Sequence, residues 1–152
     1  MDTLEKTAGP RVKQFSVFLL NKVGVLADVV RTLHERNVHV LGLSVQDSAD
    51  CAIVRLVTSD PEQTAEIFEL HSVPFATGEI LVVELREGAV ELGKILSVLL
   101  MAEVNIHGSY ALLTRPRGDY AALALHVEDN DCAAAVLAGH GFRVLEQGDI
   151  SR

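Results

Sequence analysis

One hydrophobic register occurs twice in this chain. Leu26, Val29, Val30 and Leu33 have the i, i+3, i+4, i+7 spacing that gathers four side chains on one helix face, and so do Leu92, Ile95, Leu96 and Leu99. Each residue of the second set lies 66 positions beyond its counterpart in the first. The offset persists outside the helices: Phe15, Val17 and Leu19 correspond to Leu81, Val83 and Leu85, and Val38 and Val40 to Val104 and Ile106. Single apolar coincidences are cheap. A register shared by strand, helix and strand implies an internal duplication.

The repeat organises the rest of the reading. In the first half, residues from Lys13 to Leu20 predict a strand, with Phe15, Val17 and Leu19 on one face and Phe18 and Leu20 on the other. A helix follows from about Val25 to Arg36, then a β-branched strand from Val38 to Val45, a turn at Asp47-Ser48-Ala49-Asp50, and a returning strand from Ala52 to Thr58. Asp60-Pro61-Glu62-Gln63 reads as a helix start, because Asp60 can accept from free N–H groups and Pro61 lacks one. That helix should end near His71, and Val73 to about Thr77 should open a fourth strand that Gly78 joins to Ile80–Leu85. The second half repeats the order: a helix from about Val90 to Glu103, strands near Asn105–Leu113 and Tyr120–Val127, a helix from Asp129 to Ala138 stopped by Gly139 or Gly141, and a closing strand from Phe142 to Glu146.

The expected fold class is therefore α+β: two tandem βαββαβ units, each an antiparallel four-stranded sheet with both helices on one face. The expected divisions are an N-terminal segment (1–11), a first unit (12–78), a second unit (79–147) and a C-terminal tail (148–152). One helix layer per sheet leaves the other sheet face and the edges to be covered.

Composition excludes several classes. Hydrophobic residues make up 49% and aromatics 5%, so the core must be built from Val, Leu, Ile and Ala. A formal charge of −8 opposes nucleic-acid binding, which needs clustered Lys and Arg, and the scarce aromatics oppose an RNA-stacking sheet. Cys51 and Cys132 have no CxxC partner and read as reduced, buried thiols rather than a disulfide or zinc site. No apolar run approaches the ~18 residues of a membrane span. Met1 to Arg11 carries acidic residues and no apolar stretch, unlike a signal peptide, so a cytoplasmic location is expected.

The segment richest in chemistry is Asn21-Lys22-Val23-Gly24-Val25-Leu26, between the first strand and first helix. Gly24 allows an unusual dihedral or a close backbone approach. The N–H groups of Gly24, Val25 and Leu26 open a helix, where free donors and the dipole favour an anion such as a carboxylate. Asn21 can offer an amide to a ligand, although on physics alone helix capping is its stronger role.

These residues, with Asn37-Val38-His39-Val40 after the helix, resemble the ACT-domain pattern "D/N-x-P-G-x-L … G-x-N-I". The resemblance covers both halves, from about Lys13 to Glu146, and it implies a ferredoxin-like regulatory module that binds an amino acid through the first strand–helix loop, often between paired domains. The ligand-binding residues it implies are Asn21, Val23, Gly24, Val25 and Leu26, with His39, Val40 and Leu41 as a wall. Val23 stands where the family commonly has proline, and His39 where it has asparagine. A weaker second site would comprise Glu87, Ala89, Val90, Leu92, Asn105 and Ile106. There Glu87, Ala89 and Val90 replace the amide or acid, the proline and the glycine, and Glu87 suits its own helix start better than a ligand carboxylate. The first half, through Asn21–Leu26, Arg36-Asn37-Val38 and Leu43-Ser44-Val45, is also similar to the regulatory subunit of acetolactate synthase, which implies feedback inhibition by branched-chain amino acids. The second half looks like another ACT unit rather than that family's C-terminal domain.

Other polar residues carry less. His34, His39, His71, His107, His126 and His140 show no HxH or HExxH spacing, so no metal is expected. Thr114-Arg115-Pro116-Arg117-Gly118-Asp119 reads as a solvated basic turn, and Glu62, Glu66 and Glu69 as a solvent-facing helix side. No nucleophile–base pair or phosphate loop emerges. The expectation is a regulatory protein without catalytic residues or cofactor, binding a small molecule that is an amino acid by the resemblance, paired as a homodimer, with an enzyme among the candidate partners; a ligand-free interaction module is the competing class.

Overall fold

The computed structural model describes residues 9–20, 22, 24–115, 118 and 120–151. The first half contains β1 (Val12–Leu20), α1 (Val25–Glu35), β2 (Val40–Asp47), β3 (Cys51–Thr58), α2 (Pro61–Leu70) and β4 (Phe75–Leu85). The second adds a 3-10 turn (Gly88–Glu91), α3 (Leu92–Met101), β5 (Ile106–Ala111), β6 (Ala121–Val127), α4 (Asn130–Gly139), β7 (Val144–Leu145) and α5 (Gln147–Ile150). The α2 start is as its residues dictate: Asp60 Oδ1 accepts from the Gln63 amide at 3.1 Å, with Pro61 at the first helical position. Asp129 does the same for the Cys132 amide at α4. The left-handed residue after α4 is Gly141, at φ +86°.

β4 serves both halves. Its residues Phe75–Ile80 pair with β1, and Leu81–Leu85 pair with β6, so one unbroken strand ends the first βαββαβ unit and begins the second. The strand order is β2-β3-β1-β4-β6-β5, with the short β7 also on β4. The sheet curls until its edges meet. Gly42 of β2 bridges Leu112, which follows β5, and the Leu113 amide donates to the Leu41 carbonyl at 2.6 Å. This curl answers how the helix-free faces are covered: they face one another.

Three apolar clusters result. Phe15, Val17, Leu33, Leu56, Ile67 and Phe68 pack beneath α1 and α2. Leu81, Val83, Ile95, Leu99, Leu125 and Leu137 pack beneath α3 and α4. Val12, Leu41, Val57, Val82, Leu112 and Ala124 fill the interior of the curl. The alternation along β1 sorts the two sides, with Phe15 and Val17 toward helices and Val12 toward the interior.

Some details differ from expectation. The closing strand shrinks to Val144–Leu145, and the expected tail instead forms α5, with Gln147 and Ile150 buried. Gln147 fixes it there: its Oε1 accepts from the Lys13 amide at 3.0 Å and its Nε2 donates to the Thr58 carbonyl at 3.2 Å. Cys51 and Cys132 are free but only half-buried, because both lie at element ends. Glu62, Glu66 and Glu69 are exposed as read. Of the basic turn, Pro116, Arg117 and Asp119 lie outside the described residues, while Thr114 and Arg115 are exposed. Among the described residues, no helix is long and apolar enough to cross a membrane.

Candidate functional site

The first-loop candidates begin at Gly24, since Asn21 and Val23 lie outside the described residues. Gly24 precedes α1 at φ +90°, a left-handed conformation that L side chains resist. Nothing stands within 4 Å of a built Cβ, so the backbone, not crowding, selects glycine. Its carbonyl accepts from the Asp28 amide at 2.9 Å. The Val25 amide donates to the Lys22 carbonyl at 3.4 Å, so one of the three donors expected to meet a carboxylate is turned onto the loop itself.

His39, Val40 and Leu41 lie elsewhere. Leu20 pairs with Cys51 and Val40 with Thr58, at opposite ends of β3. Residues 51 and 58 are seven steps apart, which at about 3.3 Å per residue is about 23 Å. The helix crossover carries the chain back to the end where β1 began. Contrary to expectation, the start of β2 therefore does not wall the β1–α1 loop within one unit. The His39 amide donates to Ser59 Oγ at 2.9 Å, its ring lies 5.8 Å from His34, and Leu41 is buried inside the curl.

The second set splits in the same way. Glu87 does not cap its helix; its amide donates to Glu91 Oε1 at 2.9 Å, so Glu91 supplies the capping carboxylate. Ala89, Val90 and Leu92 stand on the surface. Asn105 Nδ2 donates to Glu128 Oε1 at 3.4 Å, and Ile106 pairs with Val127, at the far end of β6 from the Ala121 that pairs with Leu85.

A cleft of about 550 Å³ opens at the loop end of the first unit. Phe18 and Leu20 from β1, Val25 and Val29 from α1, and Ile67 and Phe68 from α2 give it apolar walls. Asp28, Thr32 and His71 add polar groups, and Cys51 lies at its edge. The volume is that of a small-molecule site. Asp28 pairs with Arg31 at 2.9 Å, with both side chains exposed, so the carboxylate stays accessible. Among the described loop residues, Val25 is the one that the fold brings to this cleft.

Sequence reading missed Phe18, Leu20 and the His71–Pro74 connection. The cleft exists because that connection crosses the end of β1, where the Phe18 amide donates to the Pro74 carbonyl at 3.1 Å. A usable signal was present: Phe18 and Leu20 are large and apolar on the strand face away from the helices, and they remain 42% and 62% exposed. Among the described residues, no three His, Cys, Asp or Glu side chains gather as a metal would require.

A family model described as an ACT domain pair matches residues 11–152. The chain belongs to this family. Solved structures share the fold. Protein BT0572 from Bacteroides thetaiotaomicron superposes with a TM-score of 0.83 at 23% identity, covering 93% of this chain and 96% of that one. The regulatory subunit of aspartate kinase from Thermus thermophilus, in ligand-free form, gives 0.59 at 12% identity, covering 87% and 93%. The corresponding subunit from Thermus flavus gives 0.56 at 14%, covering 86% and 92%. These likenesses concern the fold. A search of curated proteins returned no match. The ACT pair assignment supports a regulatory, small-molecule-binding module rather than a catalyst.

Proposed function

We propose that the protein is an amino-acid sensor whose ligand occupies the cleft beside the β1–α1 loop. The observation that carries this reading is the meeting of an apolar cleft with the first turn of α1 in an ACT pair. The ligand side chain packs on Phe18, Val29 and Phe68; its carboxylate takes the open helix start, and its ammonium is met by Asp28. Occupancy ties α1 to the α2–β4 connection, and a partner protein, an enzyme among the candidates, responds to that change. Coupling of this kind is typically worth about 1–3 kcal/mol.

A melting screen with the twenty amino acids tests it. A ligand at a hundred times its dissociation constant adds about 2.7 kcal/mol of stability, which a melt resolves. Apolar amino acids should raise the melting temperature, and Asp28→Asn should reduce the effect. A flat response to all twenty sinks the proposal. A second reading, acetolactate synthase regulation, rests on the Asn21–Leu26 and Arg36–Val38 resemblance. It requires co-purification with a thiamine-diphosphate enzyme and inhibition that depends on valine.

A further inference from the structure

The curl closes at one corner and opens beyond it. β2 and β5 meet at the Gly42–Leu112 bridge and are unpaired after it, so their inner faces form a wedge. One wall carries Ser16, Ser44 and Arg55, aligned across β1, β2 and β3. The other carries Tyr110 and His126, with the His107 ring 5.4 Å from that of His126. Tyr110 spans the wedge at its narrow end, donating to Gln14 Oε1 at 2.7 Å. Ser16, paired with Arg55, is one pleat beyond Gln14, and His126 is one pleat beyond Ala124, the partner of Tyr110. The two walls therefore place Arg55 and His126 opposite each other. Electrostatics agrees: burial, then His107, then Arg55 hold the His126 imidazole below its ordinary value.

Among the described residues, no carboxylate pairs with Arg55. Arg55 is half-buried, and its one hydrogen bond among the described residues runs from Nη1 to the neutral Gln46 Oε1 at 3.3 Å. A guanidinium has five N–H donors, and a cation drawn out of water is ordinarily matched by a carboxylate or a bound anion. The strand carboxylates do not supply one. Asp47 and Glu79 pair with Ala52 and Lys13 on the helix side of the sheet. Glu84 shares the inner face but bonds Arg86 at 3.2 Å, and it pairs with Ala122, about 13 Å along β6 from His126.

We propose that this wedge binds a small oxyanion, carboxylate or phosphate, with Arg55 forking it from one wall and His107 and His126 donating from the other. Ser16 and Ser44 hydroxyls lie on the Arg55 wall to complete its hydrogen bonding. The charged and titratable groups facing the anion are Arg55 from β3, His107 and Tyr110 from β5, and His126 from β6. The site is separate from the β1–α1 cleft, and its test does not depend on an amino acid binding there. A protonated imidazole holds an anion more tightly than a neutral one, so affinity rises as pH falls, and by reciprocity the anion raises the His126 titration midpoint.

Proton NMR of the histidine rings, with sodium phosphate or sodium acetate titrated against matched sodium chloride, tests the proposal on the full chain. The expected result is movement of the His126 and His107 resonances, and an upward shift of the His126 midpoint, with the oxyanion and not with chloride. A response to phosphate alone or to acetate alone supports the site and identifies its oxyanion. Arg55→Gln should weaken binding roughly tenfold or more, and Arg55→Lys should fall between, keeping charge but losing the fork. Absence of any oxyanion-specific movement overturns the proposal, as does unchanged affinity in a folded Arg55→Gln protein. If Arg55→Gln does not fold, Arg55→Lys and His126→Gln decide: undiminished affinity in both overturns it.

Discussion

Tyr110 donates its phenolic O–H to Gln14 Oε1 at 2.7 Å, joining β5 of the second unit to β1 of the first. Gln14 is 4% exposed, so its carbonyl has little water to turn to, and burial pushes the Tyr110 phenol well above its usual value while Arg55 pulls slightly the other way. Tyr110→Phe should therefore leave a buried acceptor unsatisfied, at about 1–3 kcal/mol, or a melting temperature lower by about 2–4 °C per kcal/mol in a chain of this size. Adding Gln14→Leu should recover part of the loss, because the orphaned acceptor goes with it. Equal losses that add in the double variant would show that the bond does not couple the units.

Gly42 is selected by crowding. A Cβ there would stand 2.8 Å from Leu112 Cδ2 and 3.1 Å from Tyr110 Cε2. Gly42→Ala must push the β2–β5 contact apart, and overpacking of this kind costs about 1–3 kcal/mol. Urea unfolding should show the loss, and combining it with Leu112→Ala should produce less than the sum of the two. A Gly42→Ala protein as stable as wild type would mean that the curl does not close tightly at this corner.

Gly24 makes the opposite case. Open space surrounds its missing Cβ, yet its φ is +90°. Gly24→Ala should cost about 1–2 kcal/mol from left-handed strain alone, seen as faster hydrogen exchange in the first turn of α1. The same variant should weaken any ligand that responds in the melting screen. An unaltered melt and exchange pattern would show that the loop relaxes to another conformation without penalty.

How much of this was readable in the chain depended on range. The helix faces at Val29/Leu33 and Ile95/Leu99 repeat locally, so one register predicted α1 and α3 and the strands flanking them. Asp60 announced a helix start because a cap reaches only three residues, and Asp129 caps α4 in the same way. The curl was not readable, since Gly42 meets Leu112 through a sheet that closes across both units, and no local pattern encodes that distance. Val12 and Leu41 look like ordinary alternating strand residues, but they lie in an interior created by that closure. The short α5 escaped because its capping box uses Glu146 and Asp149 rather than a Ser or Thr pair. The candidate cleft was half readable: Val25 came from a local motif, while Phe18 and His71 joined it through the long-range Phe18–Pro74 bond.

His126 should give the protein a measurable acid sensitivity. Burial, His107 and Arg55, in that order, hold its folded pKa below the ordinary histidine value. Between the folded and unfolded values, the unfolded chain binds a proton that the folded chain does not, so stability rises with pH across that window. The contribution is fully present above about pH 6.5 and is lost as pH falls through the folded value. His126→Gln keeps a neutral polar group and removes the titration, so its urea midpoint should fall less than that of wild type between neutral and mildly acidic pH. Arg55→Gln should remove one of the three causes and flatten the profile only in part. Carboxylates elsewhere titrate in both proteins and cancel in the difference. Parallel profiles for wild type and His126→Gln would place the acid sensitivity outside the wedge.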